Sequence, residues 1–325
     1  MSERSDSEGN TDKARDKAFP HLHFRQCYAR LKFMPIEHPY QNLEEGIWLK
    51  GNLHTHSTRS DGSHDPQTVI DLYAGRNYDF LMLSDHDVYT SESDYSAIND
   101  QGLTLIPGNE ISRSGVHILH VHADGKVDPH ENRQQVIDEI NGGRGFAIVA
   151  HPNWYKEFDH CRHEQLCEWR DYVGLEIYNG VIGRLEGSPY ATNHWDRLLG
   201  NGRRVFGYAH DDFHNTEMGD LEQGWNMVCA RERSVEAIVA ALRSGCFYAS
   251  TGVMISSIEI SGNRVRIETA NAQRIVTVCN TARRLAVCDD RVATIDVPEN
   301  VSYVRFECWG AGEQFAWTQP CWITV

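Results

Sequence analysis

Between Ile47 and His214, short apolar runs alternate with segments of helical periodicity. IWLKGNLH (47–54), YDFLMLS (78–84), LTLIPGNEI (103–111), VHILHVHA (116–123), FAIVAH (146–151), VGLEIYN (173–179) and RRVFGYAH (203–210) read as strands. Residues 66–76 predict a helix with Pro66 near its first turn, and a second is expected over 131–142, ended by Gly142-Gly143. Continuously apolar strands separated by helices are the pattern of a parallel sheet covered by helices. More than six such units imply an α/β fold built as a closed or nearly closed β/α barrel.

The period changes near Thr251-Gly252. ISSIEISGNRVRIETA (255–270) reads as a hairpin turning at Gly262-Asn263, and RIVTVC, LAVC, VATIDV, SYVRFECW and CWITV follow without a helical pattern. The expected organisation is a polar, disordered tail at 1–19, the barrel over 20–251, and a small all-β domain over 252–325 packed on it. Trp309, Trp317 and Trp322 are expected in the core of that region.

Composition narrows the function classes. The formal net charge is −15 and no dense Lys/Arg run interrupts it, which disfavours a long nucleic-acid partner. No apolar stretch approaches the ~20 residues a membrane helix needs, and the charged N-terminal segment lacks a signal peptide's apolar run, so no membrane association and a cytoplasmic location are expected. Nine cysteines at irregular spacing, none as Cys-x-x-Cys, are expected to be reduced and mostly buried. The unusual residue is histidine, with seventeen copies, most of them between Leu53 and His214.

Those histidines fall, with Asp and Glu, at the C-terminal ends of the strands, the edge that carries the active site in a β/α barrel. His54 and His56 alternate along one strand end, so both imidazoles project to one side, and Asp61-Gly62 follows on the next loop. His86 lies between Asp85 and Asp87. Glu110 follows Pro107-Gly108, and its two oxygens suit it to bridging two metals. His151 ends a buried strand, where an unpartnered ring would be costly. His210-Asp211-Asp212-Phe213-His214 closes the series. His21 and His23 repeat the spacing with no acidic partner and no preceding strand, and are not read as a site. Eight or nine such groups exceed the four to six ligands of one ion, which argues for two or three metals and for phosphoryl chemistry.

HTHSTRSDG, LSDHD, IPGNEIS, VAHPN and the late DDFH resemble, in order, the motifs of the polymerase-and-histidinol-phosphatase (PHP) family over roughly 47–250, and FYASTGV (247–253) resembles the strand end that closes the domain in members with a β-rich extension. The resemblance implies a distorted seven-stranded β/α barrel and a metal-dependent phosphoesterase. It implies His54, His56, Asp61, His86, Glu110, His151, Asp212 and His214 as metal ligands, with His117, His120 and His122 competing for one further place and His117 favoured by its context. The cofactors implied are two or three divalent transition-metal ions (Zn, Mn or Fe). The substrate implied is a small phosphorylated molecule attacked by a metal-bridging hydroxide. Where relatives read GSDAH this chain reads GYAHDDFH, which leaves His210 and Asp211 as groups supporting the ligands from behind or as substrate contacts, and as catalytic candidates for protonating the leaving group. Arg59, Arg113, Lys156 and Arg184 are candidate phosphate contacts, and Glu176 and Asn179 candidate pocket residues. Two alternatives are an amidohydrolase-like enzyme cleaving a carbon–nitrogen bond, which normally uses a metal-bridging lysine not seen at these strand ends, and a non-catalytic metal-binding protein. Oligomeric state is not legible.

Overall fold

In a computed structural model of the chain, residues 36–323 are described; the expected tail at 1–19 and the pair His21 and His23 lie outside them. Strands form at Ile47–Asn52, Ile118–Val121, Phe146–Val149, Gly174–Asn179 and Phe206–His210, within the segments read from the apolar pattern. Two segments differ. The 78–84 run forms a ladder only at Phe80–Leu81, and 103–111 breaks into Thr104–Leu105 and Gly108–Ile111. Pro107, at the break, has no N–H to give a ladder. The two helices appear at Pro66–Ala74, whose first two free N–H groups Asp65 caps, and at Arg133–Asn141.

The strands form two arcs. Ile47–Asn52, Phe80–Leu81 and Thr104–Leu105 pair in parallel. The second arc runs Gly108–Ile111, Ile118–Val121, Phe146–Val149, Gly174–Asn179 and Phe206–His210. Its last three strands are parallel, but Ile118–Val121 is antiparallel to both neighbours, which corrects the expectation of a wholly parallel sheet. The reason is chain length: six residues separate Ile111 from Ile118, too few for a helical crossover. At one seam the arcs meet through isolated bridges, His86 with Glu110 and Thr90 with Gly108; at the other, through Thr55 with Phe213. Among the described residues, only isolated bridges, and no ladder, connect the arcs at these seams, and the bridging residues lie among the polar strand ends.

Two elements were not read from the sequence. Trp225–Ala230 pairs antiparallel with Ile47–Asn52 and with Phe247–Ser250. Helix Val235–Ser244 lies between them, capped by the Ser234 side chain and ended by Gly245 at φ 81°. The expected hairpin is present as Ile255–Ser261 with Arg264–Thr269, joined by Val292–Asp296 into a three-stranded sheet. The later strands take another course. Phe315–Thr318 pairs with Phe247–Ser250, and Tyr303–Trp309 pairs in turn with Phe315–Thr318, so one sheet runs on across residue 252. Its buried Tyr303 and Trp317 share a core with Trp195 and Leu198 of the helix Thr192–Gly200. Arg305, 1% exposed, donates to both carboxylate oxygens of Asp196 on that helix at 2.8 and 2.6 Å. None of the described cysteines forms a disulfide, and most are buried. No helix among the described residues is long and apolar enough to cross a membrane.

Candidate metal centre

Each site residue is placed by the strand or loop that carries it. His54 and His56 leave the first strand on either side of Thr55, whose hydroxyl donates to Met82 O on the neighbouring strand end. Both imidazoles are fully buried, with ring centroids 5.1 Å apart. The loop after them is tied down by Asp85, which accepts from Ser57 N and Oγ and from Ser60 Oγ, all at 2.8 Å. Asp85 is therefore an anchor of the loop. That loop carries Asp61 to 3.5 Å from His86 Nε2 and 3.4 Å from His214 Nε2.

Glu110 is the centre of the arrangement. Its Oε1 lies 2.9 Å from His117 Nδ1, 3.2 Å from His151 Nε2 and 3.4 Å from His54 Nε2. Its Oε2 lies 2.7 Å from His86 Nδ1 and 3.6 Å from His56 Nε2. Asp212 stands opposite, with Oδ1 3.1 Å from His54 Nε2 and 3.0 Å from His56 Nε2. Two of these residues hold sparsely populated backbone conformations, Asp212 at φ 55° and His151 at φ 24°, a cost that folds accept where side-chain placement matters.

Beneath this layer lies a second one. Glu176 Oε1 accepts from His54 Nδ1 at 2.7 Å and His210 Nδ1 at 2.8 Å, while Oε2 accepts from the backbone N–H of His151 at 2.7 Å and from Asn179 Nδ2 at 2.8 Å. Asn179 Nδ2 also reaches Asp212 Oδ2 at 3.1 Å. Glu176 and Asn179, the candidate pocket residues, do not line the cleft. Both are about 1% exposed, and they orient the groups above them. His210 and Asp211, the candidates for protonating a leaving group, also lie below the cleft. His210 is fully buried against Glu176. Asp211 accepts from Tyr73 Oη at 2.7 Å and from the backbone N–H groups of Glu222, Gln223 and Gly224, so its carboxylate is spent on holding that loop.

Among the four basic candidates, only Arg184 lines the cleft over the site. Its guanidinium is bidentate to Asp220, at 2.6 and 2.9 Å, which fixes its plane and leaves one terminal nitrogen free of that pair. Arg59 instead donates to Thr90, Arg113 is largely exposed beside Asp87, and Lys156 is exposed outside the lining. Of the three competing histidines, His117 reaches Glu110, whereas His120 packs on Gly145 and His122 adjoins Arg144 and Arg243. Sequence reasoning missed His160 and Trp154. His160 is buried between His117 and His151, and its Nε2 accepts the His117 backbone N–H at 3.0 Å, which assigns the ring proton to Nδ1. Trp154 sets its edge on His151 at a centroid distance of 5.1 Å. Both sit on an irregular loop with no periodicity to read; the surplus of histidine was the one hint.

The electrostatics call for positive charge. Burial alone would raise the Glu110 and Asp212 pKa values, yet the surrounding imidazoles hold both well below the usual carboxylate range. Burial opposes charge on His86 and His214 too, but Glu110 and Asp61 pull His86 up to about 10, and Asp61 and Asp212 pull His214 up to about 9. Several buried polar atoms also lack hydrogen-bond partners, among them His54 Nε2, His86 Nδ1 and Glu110 Oε2. The last two approach to 2.7 Å without hydrogen-bond geometry. Such atoms are costly unless something else satisfies them. Several groupings could each hold an ion, among them His56, Asp61, His86 and His214; His54, His56 and Glu110; His54, His151 and Asp212; His117, His151 and His160; and His54, Glu176 and His210. Imidazole and carboxylate donors of this kind fit divalent transition metals.

No family model matches the chain. It is 38% identical over 82 residues to a 3',5'-nucleoside bisphosphate phosphatase of Chromobacterium violaceum, a stretch that is 25% of this chain and 28% of that protein. Its fold matches that of a two-domain protein from Bacteroides vulgatus containing a predicted PHP-like metal-dependent phosphoesterase, at a TM-score of 0.50 and 17% identity, covering 88% of this chain and 90% of that one. An amidohydrolase of Chromobacterium violaceum, solved with bound sulfate and no metal, aligns at a TM-score of 0.39 and 17% identity over 50% of this chain and 87% of that one. The chain thus has the mixed α/β fold of the two-domain, PHP-like protein.

Proposed function

We propose that the chain is a metal-dependent phosphoesterase of small phosphorylated molecules. The observation that carries this reading is the placement of Glu110, whose two oxygens face two different sets of imidazoles, with Asp212 opposite. The proposed ligands are His54, His56, Asp61, His86, Glu110, His117, His151, Asp212 and His214, for two or three ions in a seven-stranded barrel of PHP type. When bound, the ions would supply Lewis acidity that activates water and offsets charge on the phosphate oxygens. The chain's own groups do the rest. Glu176 and Asn179 hold the imidazole and carboxylate orientations, and Arg184, already fixed in plane by Asp220, offers its remaining N–H groups to a phosphate oxygen. The geometry favours this reading over an amidohydrolase-like mechanism, because among the described residues no lysine lines the cleft. Lys50, on the first strand, packs its ammonium on Tyr78 and Trp225 and pairs with Glu222.

The test measures metal content and phosphate release on the same preparations, over a panel of phosphate esters with Zn, Mn or Fe added. Wild type is expected to hold at least two ions per chain and to release phosphate. Glu110→Gln should lose metal and activity together, because the substitution removes an anionic oxygen from between the two histidine sets. A fully metallated but inactive Glu110→Gln protein would assign Glu110 to proton transfer instead, for which a rate loss of roughly 10²–10⁴ is typical.

A further inference from the structure

The cleft above the proposed ligands is half apolar. Its volume is about 220 Å³, and Trp154, Val181, Ile182 and Leu185 line it together with Arg184 and the outer histidines. A site that recognised only phosphate and hydroxyl groups would have no use for these four side chains. Their two segments are fastened to each other. Tyr155 N donates to Glu186 O at 3.0 Å and Ser188 N donates to Asn153 O at 2.9 Å, on either side of a bridge between Trp154 and Gly187. Gly187 sits at φ 130°, and a Cβ there would collide with Asn153 O and lie 3.0 Å from Trp154 Cα, so the close approach requires glycine.

The Trp154 loop is also strained toward the surface. Tyr155 and Phe158 hold φ of 75° and 55°, conformations uncommon for bulky residues, and both are exposed apolar side chains. Tyr155 stacks on Trp154 at 4.3 Å between centroids. One face of the indole is thus backed, and His117, His151 and His160 pack around the ring. A rigidly backed aromatic ring beside an aliphatic wall is suited to binding a flat, uncharged ring.

We infer that Trp154, facing Val181, Ile182 and Leu185, is the specificity determinant of the cleft, and that it receives an aromatic group carried by the organic part of the phosphate ester. This rests on the phosphoesterase reading for the placement of the phosphate, but not for the recognition of the ring. The test uses two matched esters, 3-phenylpropyl phosphate and propyl phosphate, whose alkoxide leaving groups are alike, so that the ratio of their kcat/KM values reports the ring and not the chemistry. Wild type should favour the phenyl ester by at least about 10-fold, which is ~1.4 kcal/mol. Trp154→Ala should bring the ratio to within about threefold of unity, while Trp154→Phe keeps most of it. Because only the ratio is read, a general disturbance of His117 and His151 cancels. A wild-type ratio near unity overturns the proposal, as does a Trp154→Ala ratio equal to wild type. Calorimetric binding of 3-phenylpropylphosphonate against propylphosphonate separates the two readings. If neither ester is hydrolysed but the phenyl compound binds more tightly, the phosphoesterase reading fails and the aromatic subsite stands. Equal binding or none removes the subsite.

Discussion

At the scale of single residues, the histidines divide by what their second nitrogen touches. His54 is oriented by Glu176, which also accepts from His210, Asn179 and the His151 backbone. All four contacts donate to a carboxylate, so Glu176→Gln places an amide N–H against a donor. Such outer partners are worth about 10–100-fold in metal affinity. The expected result is a loss of that size in competition with a chelator, with an unchanged circular dichroism spectrum; an unchanged affinity would reduce Glu176 to a packing role. His120 has the opposite character. It is buried with neither ring nitrogen hydrogen-bonded, and burial pushes it down to about 4 from an ordinary 6.5. Between those values the unfolded chain binds a proton that the folded chain refuses. Stability therefore falls as pH drops through this window and falls no further below it. His120→Leu should lose less melting temperature than wild type between about pH 7 and about pH 4.5. Equal losses in both proteins would place the acid sensitivity elsewhere.

At the scale of elements, the turn after the first strand is the part most sensitive to backbone shape. A Cβ on Gly62 would lie 2.5 Å from the carbonyl carbon and oxygen of His56 and 2.7 Å from Ser57 N. These are backbone atoms and cannot rotate aside. Gly62→Ala must therefore open the loop that presents Asp61 to His86 and His214. The expected outcome is fewer metal ions per chain at near-normal melting temperature. A variant that keeps full metal content would show that Asp61 is dispensable or that the loop adapts. The strand and helix pattern around this turn was legible because buried parallel strands are apolar on both faces. Trp225–Ala230 escaped notice because its six residues carry no regular polar–apolar alternation, although Gly224 precedes them. Helix Val235–Ser244 could have been found from Ser234 before it and Gly245 after it.

At the scale of the whole molecule, the later strands and the earlier fold share one sheet and one buried ion pair. Arg305 and Asp196 lie at 1% and 3% exposure, and Tyr303 Oη donates to the same carboxylate. Breaking a buried pair by removing one partner costs roughly 3–5 kcal/mol, and without Asp196 the Arg305 guanidinium keeps only Glu307, 2.9 Å from Nη1. Asp196→Ala should lower the denaturation midpoint by a corresponding amount, while the double change Asp196→Leu with Arg305→Met recovers much of it. If the single variant unfolds like wild type, the existing bond from Arg305 to Glu307, at 2.9 Å, suffices to hold the guanidinium.

The sequence by itself determined the alternation of strands and helices, the His-rich strand ends and the order of the ligand candidates, because each of these is a local pattern of a few residues. It also offered Glu110 as a candidate bridging group, since a lone carboxylate at a strand end among histidines has two oxygens to offer. Only the tertiary structure decided among His117, His120 and His122, because the choice depends on which ring the antiparallel turn of Ile118–Val121 aims at Glu110. It likewise moved Glu176, Asn179, His210 and Asp211 from the cleft to its foundations. Position at a strand end is written in sequence, but depth below the rim depends on how far each neighbouring loop rises over it. His160 and Trp154 became visible at the same stage, since an irregular loop has no period and its partners lie some forty residues away, from His117 to His160.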